Sequence, residues 1–144
     1  NRGFGGSEMS DVIHFYEQVI RPYAPRRIFL YAGDNDIANG KTATQVFADY
    51  KELVGLVTAD FPGSLVIFIS IKPSKQRWDK WPIMAEANRM VREYAARHED
   101  LGYADLATPL LDRSGKPKDV FVDDGLHLNQ EGYRLWQEAL APFL

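Results

Sequence analysis

The sequence contains no cysteine, which removes disulfides, thiolate nucleophiles and cysteine-based zinc sites, and is compatible with an oxidising or a reducing compartment. It also lacks long apolar runs. The longest, Leu65–Ile69, is far short of the ~20 residues that cross a bilayer, so no membrane span is expected. Positive charge is not in excess: 17 Lys and Arg against 20 Asp and Glu leave a formal charge of −3. Binding to a nucleic-acid backbone needs a clustered basic surface, so no nucleic-acid partner is expected. The glycines near the start form neither a P-loop, since no Gly-Lys-Ser/Thr follows, nor a dinucleotide fingerprint, since Ser7-Glu8-Met9-Ser10 stands where the third glycine belongs. Asn1–Ser7 has no apolar signal-peptide core and no initiator Met precedes it, so the numbering is expected to begin inside a longer gene product. What is present is ordinary for a globular domain. The 144 residues, 45% hydrophobic and 26% charged, predict a single domain spanning 1–144, able to bury roughly 68–70% of its unfolded surface without metal or disulfide staples.

The punctuation predicts alternating helices and strands. Met9, Val12, Ile13, Tyr16, Val19 and Ile20 recur at helical spacing behind a cap at Ser7 or Ser10, and Pro22 and Pro25 end that helix. Ile28–Ala32 and Leu65–Ile69 are short continuous apolar runs, the pattern of parallel strands buried on both faces. Between them Thr42 and Gln45 have capping-box spacing ahead of a stripe formed by Val46, Phe47, Tyr50, Leu53, Val54 and Val57. A polar loop over 72–81 carries Trp78, Trp81 and four basic residues, Lys72, Lys75, Arg77 and Lys80, which read as a solvated face. The two tryptophans are either a platform for an acyl or sugar group or ordinary packing. Pro82 opens a third helix with a stripe of Ile83, Ala87, Met90, Val91 and Tyr94, and Leu101–Leu106 is a weaker strand. Asn129 caps a last helix bearing Tyr133, Trp136 and Leu140. Such alternation predicts an open parallel sheet covered by helices, whose ligands bind beyond the carboxyl ends of the strands.

Three groups of residues stand at such positions. Gly33-Asp34-Asn35-Asp36 follows the first strand. It is either a tight turn or a place where the Asn35 amide is held towards the ligand crevice as an oxyanion donor. Asp124-Gly125-Leu126-His127 places a carboxylate three residues before an imidazole. That spacing suits either a surface turn or an Asp orienting a His that works as a base. Gly3-Phe4-Gly5-Gly6-Ser7 runs into the first helix, as a loose loop, an anion cradle or one backbone donor of an oxyanion hole. His14 is placed on a helix beside Phe15, and His98 in the last turn of another, where a cation suits the helix dipole.

In this order and at these gaps, the three groups resemble the SGNH (GDSL-type) hydrolases, a family of serine esterases and acylhydrolases. Asn1–Ser7 looks like the family's second block, with Gly6 at the motif glycine. Gly33–Asp36 matches the Gly-x-Asn-Asp block. Asp124–His127 matches the Asp-x-x-His block, and Leu128–Tyr133 looks like the family's entry into its C-terminal helix. The resemblance extends over essentially the whole chain but lacks the first block, the Gly-x-Ser turn bearing the nucleophile. None of Ser7, Ser10, Ser64, Ser70, Ser74 and Ser114 sits in such a motif.

The resemblance implies a three-layer α/β/α, flavodoxin-like parallel sheet without its N-terminal strand-helix-strand, a piece of ~30 residues or more. It implies hydrolysis of small acyl, carbohydrate or lipid esters, with His127 as base, Asp124 orienting it, Gly6 and Asn35 as oxyanion donors, and no metal or cofactor. The chain alone, lacking the serine, is expected to be inactive. The absent strand would leave the strand at 28–32 as an open apolar edge, which predicts a homo-oligomer or strand-exchanged dimer. A non-catalytic, self-associating or binding module is the alternative. A third possibility is a metal or phosphate binder built on Asp34, Asp36, Asp123, Asp124 and His127.

Overall fold

The computed structural model describes all 144 residues. Its helices are α1 (Met9–His14), α2 (Tyr16–Val19), α3 (Asp34–Ala38), α4 (Ala43–Asp60), α5 (Trp81–Ala95) and α6 (Gln130–Leu140); its strands are β1 (Arg27–Leu30), β2 (Leu65–Ile69) and β3 (Leu101–Ala104). The strands form one parallel sheet in the order β1-β2-β3, with Phe29 opposite Ile67 and Phe68 opposite Tyr103. Alternation along β2 builds the layers, because successive side chains leave opposite faces. Val66 and Phe68 enter the larger core with Val46, Tyr50 and Leu53 of α4 and Met84, Ala87 and Val91 of α5. Ile67 and Ile69 enter a smaller core closed by Trp136, Ala139 and Leu140 of α6. The result is the three-layer α/β/α architecture.

Several local expectations hold. The backbone N–H of Gln45 donates to Thr42 Oγ1 at 3.2 Å, while the Thr42 N–H donates to Gln45 Oε1 at 2.8 Å. The Gly132 N–H donates to the Asn129 side chain at 3.0 Å at the start of α6. Others are corrected. The first helix is interrupted at Phe15 (φ −92°, ψ 13°), and beyond the break Tyr16 donates from its hydroxyl to the Leu56 carbonyl of α4 at 3.2 Å. Glu8, not Ser7 or Ser10, stands at its cap, with its N–H held by Asp11. The first strand ends at Leu30 rather than Ala32 and is only half-buried, because β2 is its sole strand partner. On α5 the inward face includes Met84, Asn88 and Ala95, whereas Ile83 is exposed. Tyr133 on α6 is exposed as well, turned away from the core that Trp136 closes. Asn88 clamps the end of β2, its Oδ1 accepting from the Ile71 N–H at 2.8 Å and its Nδ2 donating to the Ile71 carbonyl at 2.9 Å. No helix is long and apolar enough to cross a membrane.

Candidate active site

The chain leaves β1 through Ala32 and Gly33. A Cβ on Gly33 would stand 2.6 Å from Ile71 Cδ1, and its φ of +110° is one that side chains other than glycine rarely adopt. Only glycine fits, and the turn it makes puts Asp34, Asn35 and Asp36 in the first turn of α3 rather than in an open loop. The three side chains then separate. Asp36 is fully buried and accepts from the Met9 N–H (3.0 and 3.1 Å) and from Lys41 Nζ (2.8 Å), pinning α1 beside α3. Asn35 donates from Nδ2 to the Ser7 carbonyl at 3.0 Å. That bond ties the Asn35 amide to the segment carrying Gly6, whose φ of +73° again favours glycine, although a Cβ there would meet nothing within 4 Å.

Asp34 anchors a charged cluster with almost no solvent around it. Its Oδ2 accepts from Lys72 Nζ (2.8 Å) and the Tyr31 hydroxyl (3.2 Å), and its Oδ1 from Arg77 Nη1 (2.6 Å). Arg77 Nη1 also donates to Asn35 Oδ1 at 3.1 Å. Burial pushes the Asp34 carboxyl up, but Lys72 and Arg77 outweigh it and hold it below the usual carboxylate range. The sequence places Lys72 and Arg77 on a solvated face. The structure corrects this: the Lys72 side chain is only 8% exposed and that of Arg77 20%. The reason is topological, since parallel pairing of β1 with β2 sets the loops that leave their carboxyl ends side by side. Lys75 and Lys80 do remain exposed or at the rim. Trp78 and Trp81 stack at 6.2 Å, and Trp81 packs on the larger core. The one signal in the sequence for the buried cations is their place just after a strand end.

Asp124 and His127 lie on a turn between the bridge partners Phe121 and Leu128. The Val122 N–H donates to the His127 carbonyl and the Gly125 N–H to the Val122 carbonyl, each at 2.9 Å, and Gly125 takes φ +67° to close the turn. Asp124 Oδ1 accepts the N–H groups of Leu126 (2.8 Å) and His127 (2.9 Å), while its Oδ2 lies 2.6 Å from His127 Nδ1. The His127 side chain, then those two N–H groups, lower the Asp124 carboxyl to about 2. With Nδ1 engaged, Nε2 is the ring nitrogen left to take a proton from a substrate or nucleophile.

One segment joins the two halves. The Gln76 N–H donates to the Gly125 carbonyl at 3.0 Å, and the next residue, Arg77, holds Asn35. A groove of about 820 Å³ runs along the open edge of β1 from the Asn1–Ser7 segment to Asn35, lined with Val12, Val19, Ile20, Ile28 and Phe29 among others. Every serine hydroxyl is engaged away from His127: Ser7 with the Phe4 carbonyl, Ser10 with Lys41, Ser64 with the Pro25 carbonyl, Ser70 with the N–H groups of Leu106 and Ala107, Ser74 with the Arg77 N–H, and Ser114 with Asp112. The five-residue metal set does not form either. Asp34 and Asp36 are consumed by their cations in separate places, and no group of three or more His, Cys, Asp or Glu side chains converges on a common point.

Comparison with known proteins bears on the fold and on the family. No curated protein matches the chain. A GDSL-like lipase from Bacteroides thetaiotaomicron superposes with a TM-score of 0.81 at 18% identity, covering 99% of this chain and 73% of the lipase. A carbohydrate esterase family 3 structure from Talaromyces cellulolyticus gives 0.82 at 19% identity, covering 98% and 68%. A catalytic mutant of an acetylxylan esterase from Geobacillus stearothermophilus gives 0.79 at 16% identity, covering 99% and 69%. These likenesses show a shared α/β/α fold, of which this chain spans about seven tenths. A model of the GDSL-like lipase/acylhydrolase family matches residues 1–135, a span that takes in the Gly6 turn, the Asn35 turn and the Asp124–His127 pair, and the chain belongs to that family of hydrolases.

Proposed function

We propose that this chain carries the base, its orienting carboxylate and two oxyanion donors of an esterase working by a Ser-His-Asp mechanism. The observation that carries it is the 2.6 Å contact of Asp124 with His127 Nδ1, which leaves Nε2 as the basic nitrogen. A serine from outside these 144 residues, on a strand seated along the open edge of β1, attacks the ester carbonyl while its proton passes to His127 Nε2. The tetrahedral oxyanion is held by the Gly6 N–H, a free N–H of Asn35 Nδ2 and the serine's own N–H. Collapse expels the alcohol, which takes the proton back from His127. Water then enters with His127 again as base, and the acid leaves. Asp124 keeps the imidazole in one tautomer and stabilises the imidazolium. The esterase neighbours support small acyl or carbohydrate esters as the substrate class, with lipid esters following from the family's name.

On this mechanism the 144 residues alone turn over p-nitrophenyl acetate negligibly, while the gene product extended upstream to include the serine is active. In that extended protein, Asn35→Ala costs about 2.7–4 kcal/mol of transition-state stabilisation, a fall of ~10²–10³ in kcat. An extended protein without esterase activity overturns the proposal, as does full activity of the 144 residues.

The open apolar edge of β1 favours one further reading for the chain by itself, as a self-associating module in which a second copy pairs along that edge. Light scattering at micromolar concentration is then expected to give a dimer or larger species. A monodisperse monomer refutes it.

A further inference from the structure

We propose that Arg77 is a positioning residue for the Asn35 oxyanion donor, fixing which end of the amide faces the substrate and strengthening its N–H as a donor. This rests on the assignment of Asn35 as a donor made above. An Asn amide has two near-isosteric ends, and only the one bearing nitrogen can stabilise an oxyanion. Two partners select it here. Arg77 Nη1 donates to Oδ1 at 3.1 Å, and the Ser7 carbonyl accepts from Nδ2 at 3.0 Å. A half-turn of the amide would set the NH₂ against a guanidinium and Oδ1 against a carbonyl, so both partners oppose it. One N–H is spent on Ser7. The second stays on a plane clamped at both ends, which is the preorganisation an oxyanion site requires. Drawing density from Oδ1 towards a cation also polarises the N–H bonds, as successive hydrogen bonds in a chain strengthen one another.

Arg77 is itself immobilised. The same Nη1 donates to Asp34 Oδ1 at 2.6 Å, and Asp34 is held by Lys72 and Tyr31 on its other oxygen. The carboxylate thus keeps the guanidinium beside Asn35 instead of letting it swing into the groove. The residue before Arg77 is tied through its N–H to Gly125, inside the turn that bears His127. A Cβ on Gly125 would lie 3.3 Å from Lys75 Cβ, so the two loops lie against each other with no spare room. The Lys75–Arg77 segment therefore sets the placement of donor and base relative to each other.

The test uses the serine-containing full-length protein and p-nitrophenyl acetate. Arg77→Met keeps the aliphatic stem and is expected to lower kcat by roughly 10- to 100-fold, the scale of a misplaced catalytic group, with KM changed less than about 3-fold. Arg77→Lys, which retains a cation, is expected to recover part of the loss. The discriminating readout is the double variant: once Asn35 is alanine, adding Arg77→Met should lower kcat no further, since Arg77 acts through the amide. A full multiplicative loss in the double variant, or wild-type kcat in Arg77→Met, overturns the role of Arg77 while leaving Asn35 a donor. Wild-type kcat in Asn35→Ala instead overturns the donor assignment itself. Should Arg77→Met fold poorly, the Asn35 side-chain amide resonances of Arg77→Lys decide. A ¹⁵N and ¹H shift away from wild type supports the contact, and unchanged shifts refute it.

Discussion

Replacing Lys72 by methionine probes the charged cluster behind the candidate site most directly. Lys72 Nζ lies 2.8 Å from Asp34 Oδ2, with both side chains at or below 10% exposure. Coulomb attraction at that distance is about 6 kcal/mol for an effective dielectric of ~20. Most of it offsets the cost of having stripped water from both ions, so the pair is not a large net source of stability. Removing one partner is different, because the other charge is left buried. That costs about 3–5 kcal/mol in general. Here Arg77 and Tyr31 still contact the carboxylate, which places the expected loss at the lower end, about 3 kcal/mol. The urea midpoint at pH 7 should fall at unchanged m-value. The loss should also depend on pH with a definite sign. Asp34 is held below its ordinary value, so its contribution is present above the unfolded-state value near 3.9 and disappears as the pH falls through the lowered folded-state value. Without Lys72 the carboxyl rises, the variant takes up its proton earlier, and the two unfolding curves converge on acidification. Adding Asp34→Asn to the Lys72→Met background should not restore stability, because it leaves Arg77 without its carboxylate. A loss below about 1 kcal/mol at pH 7, or an equal loss at pH 7 and pH 3, refutes the account of a buried, mutually dependent pair.

Two other outcomes follow from the packing. A Cβ at Gly132 would stand 2.6 Å from the Val120 carbonyl oxygen and 2.9 Å from Leu128 Cδ2, so Gly132→Ala should destabilise the chain by about 1–3 kcal/mol in urea titrations, despite alanine's better helix propensity. At high pH, Tyr16 and Tyr103, both pushed up to about 12 by burial foremost, keep their protons longer folded than unfolded. Their contribution is whole below pH 10 and is lost as the pH rises from 10 towards 12, so the urea midpoint should drop across that window and Tyr16→Phe should flatten the drop.

What was legible in the sequence and what was not divide by distance along the chain. The Thr42–Gln45 box, the Asn129 cap and the Asp124–His127 contact each join residues three apart, so spacing offers each as a candidate; Asp11 and His14 share that spacing, yet Asp11 holds the Glu8 N–H instead. The helix stripe of α4 is legible for the same reason, since its periodicity is local. Arg77 and Asn35 are 42 residues apart, and Lys72 and Asp34 are 38 apart. A lysine or arginine in a polar loop looks solvated until the partner strand is placed, and the partner strand lies outside any window of local pattern. Likewise, nothing near Phe15 announces that the first helix breaks there.

Neighbouring residues alone carry the order of helices and strands, the family motifs, the candidacy of His127 and Asp124 and the lack of any serine in a nucleophile turn. Only the tertiary structure decided that Asp34 is the hub of a buried ion cluster rather than a turn residue or metal ligand. It also places Asn35 in a clamp between Ser7 and Arg77, whereas the family resemblance already implies the open edge of β1. The physical reason is the same for the ion cluster and the clamp: parallel pairing of β1 with β2 brings distant strand ends together and buries the side chains between them.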